Sequence, residues 1–275
     1  MLFGAIIGDI VGSIYEFRNI KTKDFPFFSP NCYITDDSCM TIAVADAINT
    51  WKKHGGDLSE IAAESMRRIG NKYPDKGYGA QFWQWLIHKD KGPYNSWGNG
   101  AAMRISAAGW FGKDITEVKR LSYMVTSVTH DNIEGIKGAE ATAVAIWAAR
   151  NGCSKDEIAE YIQDNYYDLC DCVEDLQANY EWDSSCQGTV PPALQCFFES
   201  KNFEDAIRNA ISIGGDSDTI GAITGSVAEA FYGIPDDIKE KAKNYIPEDL
   251  LQTVIELETA YTAGFVEKET EPKAE

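Results

Sequence analysis

Apolar positions recur at three- and four-residue spacing along most of the chain, interrupted by short runs rich in Gly, Pro, Asn and Asp. That is the pattern of amphipathic helices joined by tight loops. In TIAVADAINTW, Ile42, Ala45, Asp46 and Asn49 mark alternate faces of a helix that stops at His54-Gly55-Gly56. Further helices are predicted at Leu58–Ile69 (Asp57 as N-cap), Gly79–Ile87, Ala101–Trp110, Ile115–Thr126, Ile133–Arg150 and Lys155–Asn165. Later ones are predicted at Val190–Glu199, Phe203–Ile213, Ile220–Phe231, Asp236–Tyr245 and Pro247–Tyr261. Strand alternation is hard to find, and neither a fixed-period repeat nor a low-complexity linker divides the series. The expectation is one compact all-α domain over 1–265 and a polar, fraying tail over 266–275.

Glycine is the anomaly in this pattern. Gly4, Gly8 and Gly12 in the first helix, and Gly221 and Gly225 in a late one, stand four residues apart. Each costs roughly 1 kcal/mol of helix propensity relative to Ala, and close helix-to-helix approach is the usual compensation. The first helix also carries Asp9 and Glu16 seven residues apart, which places them on one face with Gly12 between them. Glu16 falls at the helix end beside Tyr15 and Phe17, a setting suited to a perturbed acid or to a solvated one.

Composition narrows the class. A hydrophobic fraction of 44% and a charged fraction of 25% over 275 residues describe an ordinary globular core rather than a disordered chain. Asp and Glu number 43 against 25 Lys and Arg, so the net charge of -18 argues against a broad nucleic-acid surface. The excess keeps the surface soluble and leaves acids available for cations. The seven cysteines (Cys32, Cys39, Cys153, Cys170, Cys172, Cys186, Cys196) form no CxxC pair and no disulfide framework. They suggest a reducing compartment, with Cys170 and Cys172 as buried or half-buried thiols. The N-terminal MLFGAIIGDIVGSIYEF lacks a basic leader and is interrupted by Asp9. With no run of about 18 apolar residues either, the expectation is a cytoplasmic protein without a membrane partner. Nothing in the pattern indicates an oligomeric state.

Two acidic clusters stand at predicted helix starts. Thr35-Asp36-Asp37-Ser38 precedes CMTIAVADAI, and Gly214-Gly215-Asp216-Ser217-Asp218-Thr219 precedes IGAITGSVAEAFYG. One such cluster is explained by capping and by the helix dipole. Two of them, each with two aspartates and a threonine, exceed what capping needs and supply the hard oxygen ligands that Mg²⁺ or Mn²⁺ prefers. An EF-hand is excluded, because counting from Asp216 places Val227 where the twelfth, bidentate ligand should stand. Zinc is disfavoured because neither His nor Cys accompanies the acids. A glycine-rich stretch, Ser96-Trp97-Gly98-Asn99-Gly100-Ala101-Ala102-Met103-Arg104, then runs into a helix and offers amides to an anionic group such as a pyrophosphate. Tyr94 and Trp97 beside it suit either a nucleobase or packing.

Together GDIVGSIYEF, YITDDSCMT, SWGNGAAMR and AISIGGDSDTIGAITGSVAEAFYG resemble the ADP-ribosylglycohydrolase family. The resemblance implies an orthogonal multi-helix fold and two Mg²⁺ or Mn²⁺ ions held by Thr35, Asp36, Asp37, Asp216, Asp218 and Thr219. The partner it implies is an ADP-ribosylated protein or an ADP-ribose-containing small molecule, hydrolysed at the anomeric carbon through an oxocarbenium-like transition state. Glu16 matches the acid that activates water or protonates the leaving group, with Asp36 as a second catalytic candidate. Ser96, Gly98, Asn99 and Gly100 match a diphosphate and ribose loop. Gly79 and His130 are similar to positions lining the cleft, and Trp97 to an aromatic that stacks on adenine or walls the ribose. SIYEF and GNGAAMR look closer to the serine-linked and polymer branch than to the arginine branch, and the acceptor stays open. Two other readings compete. His130-Asp131 suggests an HD phosphohydrolase, which needs further histidines where only His54 and His88 remain. A degenerate, crystallin-like or ADP-ribose-binding member of the same fold should lack at least one of these ligands.

Overall fold

A computed structural model of the chain describes residues 1–170 and 172–270. The N-terminal half contains α1 (Phe3–Gly12), α2 (Asp36–His54), α3 (Leu58–Lys72), α4 (Ala80–Ile87), α5 (Gly100–Met103), α6 (Ser106–Phe111), α7 (Ile115–Thr126) and α8 (Ile133–Arg150). The remainder contains α9 (Lys155–Asn165), α10 (Val173–Asn179), α11 (Cys186–Phe198), α12 (Phe203–Ser212), α13 (Ser217–Tyr232), α14 (Asp236–Lys243) and α15 (Glu248–Thr270). Among the described residues there is no sheet, and one isolated antiparallel bridge joins Gly98 to Ser185. The all-α expectation holds. The end of the expected tail, 271–275, lies outside the described residues.

The centre is made by helices that lack a polar face. α1 is buried along its whole length and α13 from Ser217 to Glu229, as expected of helices surrounded by others. Their glycines meet. A Cβ on Gly4 would lie 2.2 Å from the Gly225 carbonyl oxygen, one on Gly8 1.9 Å from that of Gly221, and one on Gly12 2.5 Å from the Asp218 Cα. The four-residue stripes therefore bring two backbones into direct contact, and this contact fixes where α13 begins relative to α1. Among the described residues no helix is long and apolar enough to cross a membrane.

Two expected helices differ, and one helix is additional. The helix expected over Ala101–Trp110 is broken between α5 and α6, because Arg104 leaves helical geometry (φ -98°, ψ 1°) and its side chain turns inward to Thr129 and His130. The helix expected from Val190 starts at Cys186, with Ser185 accepting from the Gly188 amide, and runs through Pro191 and Pro192. Pro192 cannot bond the Gly188 carbonyl, and the Tyr180 hydroxyl donates to that oxygen instead at 3.0 Å. α10, capped by the Cys172 thiol, was not expected, since its seven residues are too few for a clear period.

Candidate active site

The carboxylates come together because two helices begin at one place. At the start of α2, Thr35 is the N-cap and its hydroxyl accepts from the Asp37 amide at 3.2 Å. Asp9 of α1 is fully buried and receives the Thr35 amide (2.9 Å), the Thr35 hydroxyl (2.8 Å), the Ser38 amide (3.1 Å) and the Ser38 hydroxyl. With capping and anchoring done by Thr35 and Asp9, Asp36 and Asp37 are released for other work. At the start of α13, Gly214 (φ 69°) and Gly215 (φ 77°) turn the chain through two left-handed positions that only glycine adopts freely. Asp216 follows in the cap position yet makes no capping bond, and its Oδ2 instead accepts from Asn99 Nδ2 at 2.7 Å. Thr219 Oγ1 then donates to Asp37 Oδ2 at 3.3 Å, tying the two helix starts together.

Glu16 reaches this cluster by a different route from the one its spacing suggested. α1 ends at Gly12, and a turn follows in which the Tyr15 amide bonds the Gly12 carbonyl at 2.8 Å. Glu16 therefore sits on that turn rather than on the helical face of Asp9, because the seven-residue argument holds only where the helix continues. Oxygen atoms of Glu16, Asp216 and Asp218 lie within 4.8 Å of one another. Asp37 Oδ1 is buried with no hydrogen-bond partner. A buried carboxylate oxygen without a donor is costly, and a hard cation is the group that suits this all-oxygen set.

Electrostatics follow from the packing. Burial, reinforced by Asp216 and Asp9, lifts Glu16 to about 7, and burial with the neighbouring acids Asp9 and Asp216 lifts Asp36 to about 8. Burial and like charge push Asp37 and Asp218 well above the carboxylate range. Asp9 is raised by burial against the opposing pull of its four hydrogen bonds.

Facing the acids, a cleft of about 400 Å³ is lined by Gly79, Ser96, Gly98, Asn99 and Gly100, and on its floor by Arg104 and His130. The loop is pinned to the start of α11: the Asn99 amide donates to the Ser184 carbonyl at 2.8 Å and the Cys186 amide to the Trp97 carbonyl at 2.9 Å. Arg104 is 1% exposed, and its Nη2 donates to Thr129 Oγ1 at 2.5 Å and to His130 Nδ1 at 3.2 Å. A guanidinium only donates, so His130 Nδ1 accepts and its proton resides on Nε2, the nitrogen beside Gly98 and Gly100. Burial, with Arg104 adjacent, holds the His130 pKa well below its usual value, so the ring is a neutral donor. Asp131 is exposed and accepts from the Asn95 amide, and His54 and His88 are exposed, so no HD-type histidine cluster forms.

Two expected placements change. Thr35 does not line the cleft and lies beneath it against Asp9. Trp97 is 53% exposed and outside the cleft, because in the extended pairing with Ser185 successive side chains point to opposite sides and Ser96 and Gly98 take the inner one. The aromatic at the cleft is Trp182, together with Tyr94 and Phe82. Trp182 stands in EWDSS, which has no periodicity, and only the pairing of 97–99 with 184–186 brings it there.

The ADP-ribosylglycohydrolase family model matches residues 1–267. The chain belongs to that family. It is similar to ADP-ribosylhydrolase ARH3 of Homo sapiens, 24% identical with 91% of this chain and 90% of that protein covered. It is also similar to ADP-ribosylarginine hydrolase Tri1 of Pseudomonas putida (strain GB-1), 26% identical over 85% of this chain and 70% of that protein. Among solved structures, an ADP-ribosylglycohydrolase-related protein complex shares the fold at a TM-score of 0.70 and 21% identity, covering 94% of this chain and 96% of that one.

Proposed function

We propose that this member of the ADP-ribosylglycohydrolase family hydrolyses the glycosidic bond between ADP-ribose and an acceptor, using a pair of Mg²⁺ or Mn²⁺ ions. The observation that carries the reading is the convergence of Glu16, Asp36, Asp37, Asp216 and Asp218 at one wall of a cleft whose other wall is a glycine loop. Asp36, Asp37, Asp216, Asp218 and Thr219 are the residues that would hold the cations, with Thr35 behind them as the cap that sets Asp36 and Asp37, and the orphaned Asp37 Oδ1 supports that assignment. When bound, the cations would orient the ribose hydroxyls and offset the carboxylate charge.

The chain's own groups supply the rest. With the Gly98 amide bonded to Ser96 Oγ and the Asn99 amide to the Ser184 carbonyl, the Gly100 end of the loop and the neutral His130 Nε2–H suit a diphosphate, which gains hydrogen bonds there without meeting a titrating base. Trp182 at the rim offers a flat face to the adenine or the ribose. Glu16, lifted to about 7, is poised to take a proton from the attacking water or to give one to the leaving group near neutral pH. Asp36 is the second catalytic candidate beside it, its carboxyl lifted to about 8 by burial and the neighbouring acids before a cation is bound and kept as a carboxylate by a bound cation.

The test is a panel of arginine-linked, serine-linked, polymeric and small-molecule ADP-ribose substrates, assayed with Mg²⁺ and with chelator, for the wild type and Glu16→Gln. The expected result is chelator-sensitive release of ADP-ribose from at least one acceptor, lowered roughly 10² to 10⁴-fold in Glu16→Gln. ADP-ribose binding without turnover on any acceptor would replace the enzyme with a binding protein. Near wild-type turnover by Glu16→Gln would move proton transfer to Asp36.

A further inference from the structure

Glu16 is carried by a turn, not by a helix, and its carboxylate is held near two others of the same sign. Nothing in the geometry of a free turn would keep it there, since repulsion favours swinging the carboxylate out to water. The restraint comes from Asn19. Its Nδ2 donates to the carbonyls of Tyr15 (2.8 Å) and Glu16 (2.9 Å), which closes the turn around Glu16. The same amide group grips the other side of the cluster: Nδ2 also lies 2.8 Å from the Gly215 carbonyl, so its two hydrogens serve three carbonyls with one of them shared, and Oδ1 accepts from the Gly215 amide at 2.8 Å. The partners fix the orientation of the side chain, because a backbone amide can only donate and carbonyls can only accept.

We propose that Asn19 is a positioning residue for hydrolysis, an amide clamp that sets the Glu16 carboxylate against Asp216 and Asp218 by bonding the Glu16 turn and the Gly215 main chain at once. The inference rests on the role given above to Glu16. Gly215 immediately precedes Asp216, so one side chain spans the short path between the proton-transfer group and a candidate cation ligand. Only a primary amide at this reach fulfils both halves. A carboxylate keeps the bond from the Gly215 amide and sets an oxygen against all three carbonyls, and an alanine removes both the donor and the acceptor half of the clamp. Lys21 strengthens the far side, donating to the Ile213 carbonyl at 2.5 Å and the Tyr180 carbonyl at 2.8 Å, without touching the Glu16 turn.

The experiment is a double-mutant cycle on the full chain with the best substrate of the panel. Asn19→Ala and Asn19→Asp should each lower kcat about 10 to 100-fold with KM changed less than about threefold, because displacement of a reacting group by about 1 Å has that consequence. In the Glu16→Gln background the same substitutions should lower kcat less than about twofold further, because the group they position is already gone. Thermal unfolding of each variant, with and without Mg²⁺, reads folding and cation binding separately. Losses that multiply in the double variant overturn the clamp, as does a loss of the Mg²⁺-induced shift in Asn19→Ala, which would make Asn19 a support for the cation loop alone. If Glu16→Gln itself keeps its activity, the role of Glu16 has failed instead, and the two failures are distinguishable.

Discussion

Gly8→Ala tests whether the glycine stripe sets the active-site geometry. On propensity alone the change should stabilise a helix, by about 1 kcal/mol. The structure predicts the reverse. The new Cβ would lie 1.9 Å from the Gly221 carbonyl oxygen, 2.1 Å from its carbon and 2.6 Å from the Ala222 nitrogen, where ordinary contact begins at 3.4 Å. Every atom it meets is backbone, so no rotamer change relieves the clash, and α1 and α13 must part by roughly 1.5 Å. Overpacking costs about 1 to 3 kcal/mol, and a backbone clash belongs at the upper end. Net of the propensity gain, a loss of about 2 kcal/mol corresponds to a fall in Tm of about 4 to 8 °C for a domain of this size. The same parting separates Asp9, which anchors Asp36 and Asp37, from Asp218 at the start of α13. A shift of that size should lower kcat/KM about 10²-fold when assayed well below Tm. Differential scanning fluorimetry and initial rates measure both. An unchanged Tm would refute the steric argument, and a lowered Tm with an unchanged rate would show that helix spacing does not set the site.

Two further outcomes are expected. The folded protein keeps protons on its buried acids that the unfolded chain has lost, Glu16 until about 7 and Asp36 until about 8, so their contribution to stability is present at acidic pH and declines as pH rises from about 4 to 8; Tm with chelator should fall over that window, saturating Mg²⁺ should flatten the slope, and equal slopes would exclude cation binding at these acids. Trp182→Ala should raise Kd for ADP-ribose about 5 to 100-fold, as the loss of one stacked base does, while Trp97→Ala leaves it unchanged in isothermal titration; the opposite ranking would return the stacking role to Trp97.

What the sequence made legible were features whose meaning is local. Asp36, Asp37, Asp216 and Asp218 were recognisable because two short clusters exceeded the needs of helix capping, and neither Asp37 nor Asp216 caps a helix with its side chain. The glycine stripes of α1 and α13 were legible because their spacing equals the helical repeat, and the packing matches that reading. The remaining features depend on where the chain stops repeating. The end of α1 at Gly12 moves Glu16 from a helical face to a turn, and no residue pattern marks that stop. Arg104 interrupts an apolar run whose two halves, α5 and α6, read as one helix because both are buried. Trp97 and Trp182 exchange places through a backbone pairing between segments far apart in sequence, which periodicity does not encode.

The contrast between Asp9 and Asp37 explains how so many like charges are accommodated. Both are buried, but Asp9 accepts from four donors of Thr35 and Ser38, whereas Asp37 Oδ1 accepts from none. A fully satisfied buried carboxylate acts as structure: Asp9 uses charge-assisted bonds to fix the first turn of α2, whose amide dipoles favour negative charge. That turn then presents Asp36 and Asp37 toward the start of α13, whose dipole acts in the same sense on Asp216 and Asp218. Two helix N-termini aimed at one point thus offset part of the repulsion before any cation arrives. Burial first, and then the repulsion left over, raises the proton affinity of Asp36, Asp37 and Asp218. On the proposed function, protons and cations would compete for the same oxygens, so the Mg²⁺-induced rise in Tm should shrink as pH falls, and a shift independent of pH would place the cation elsewhere.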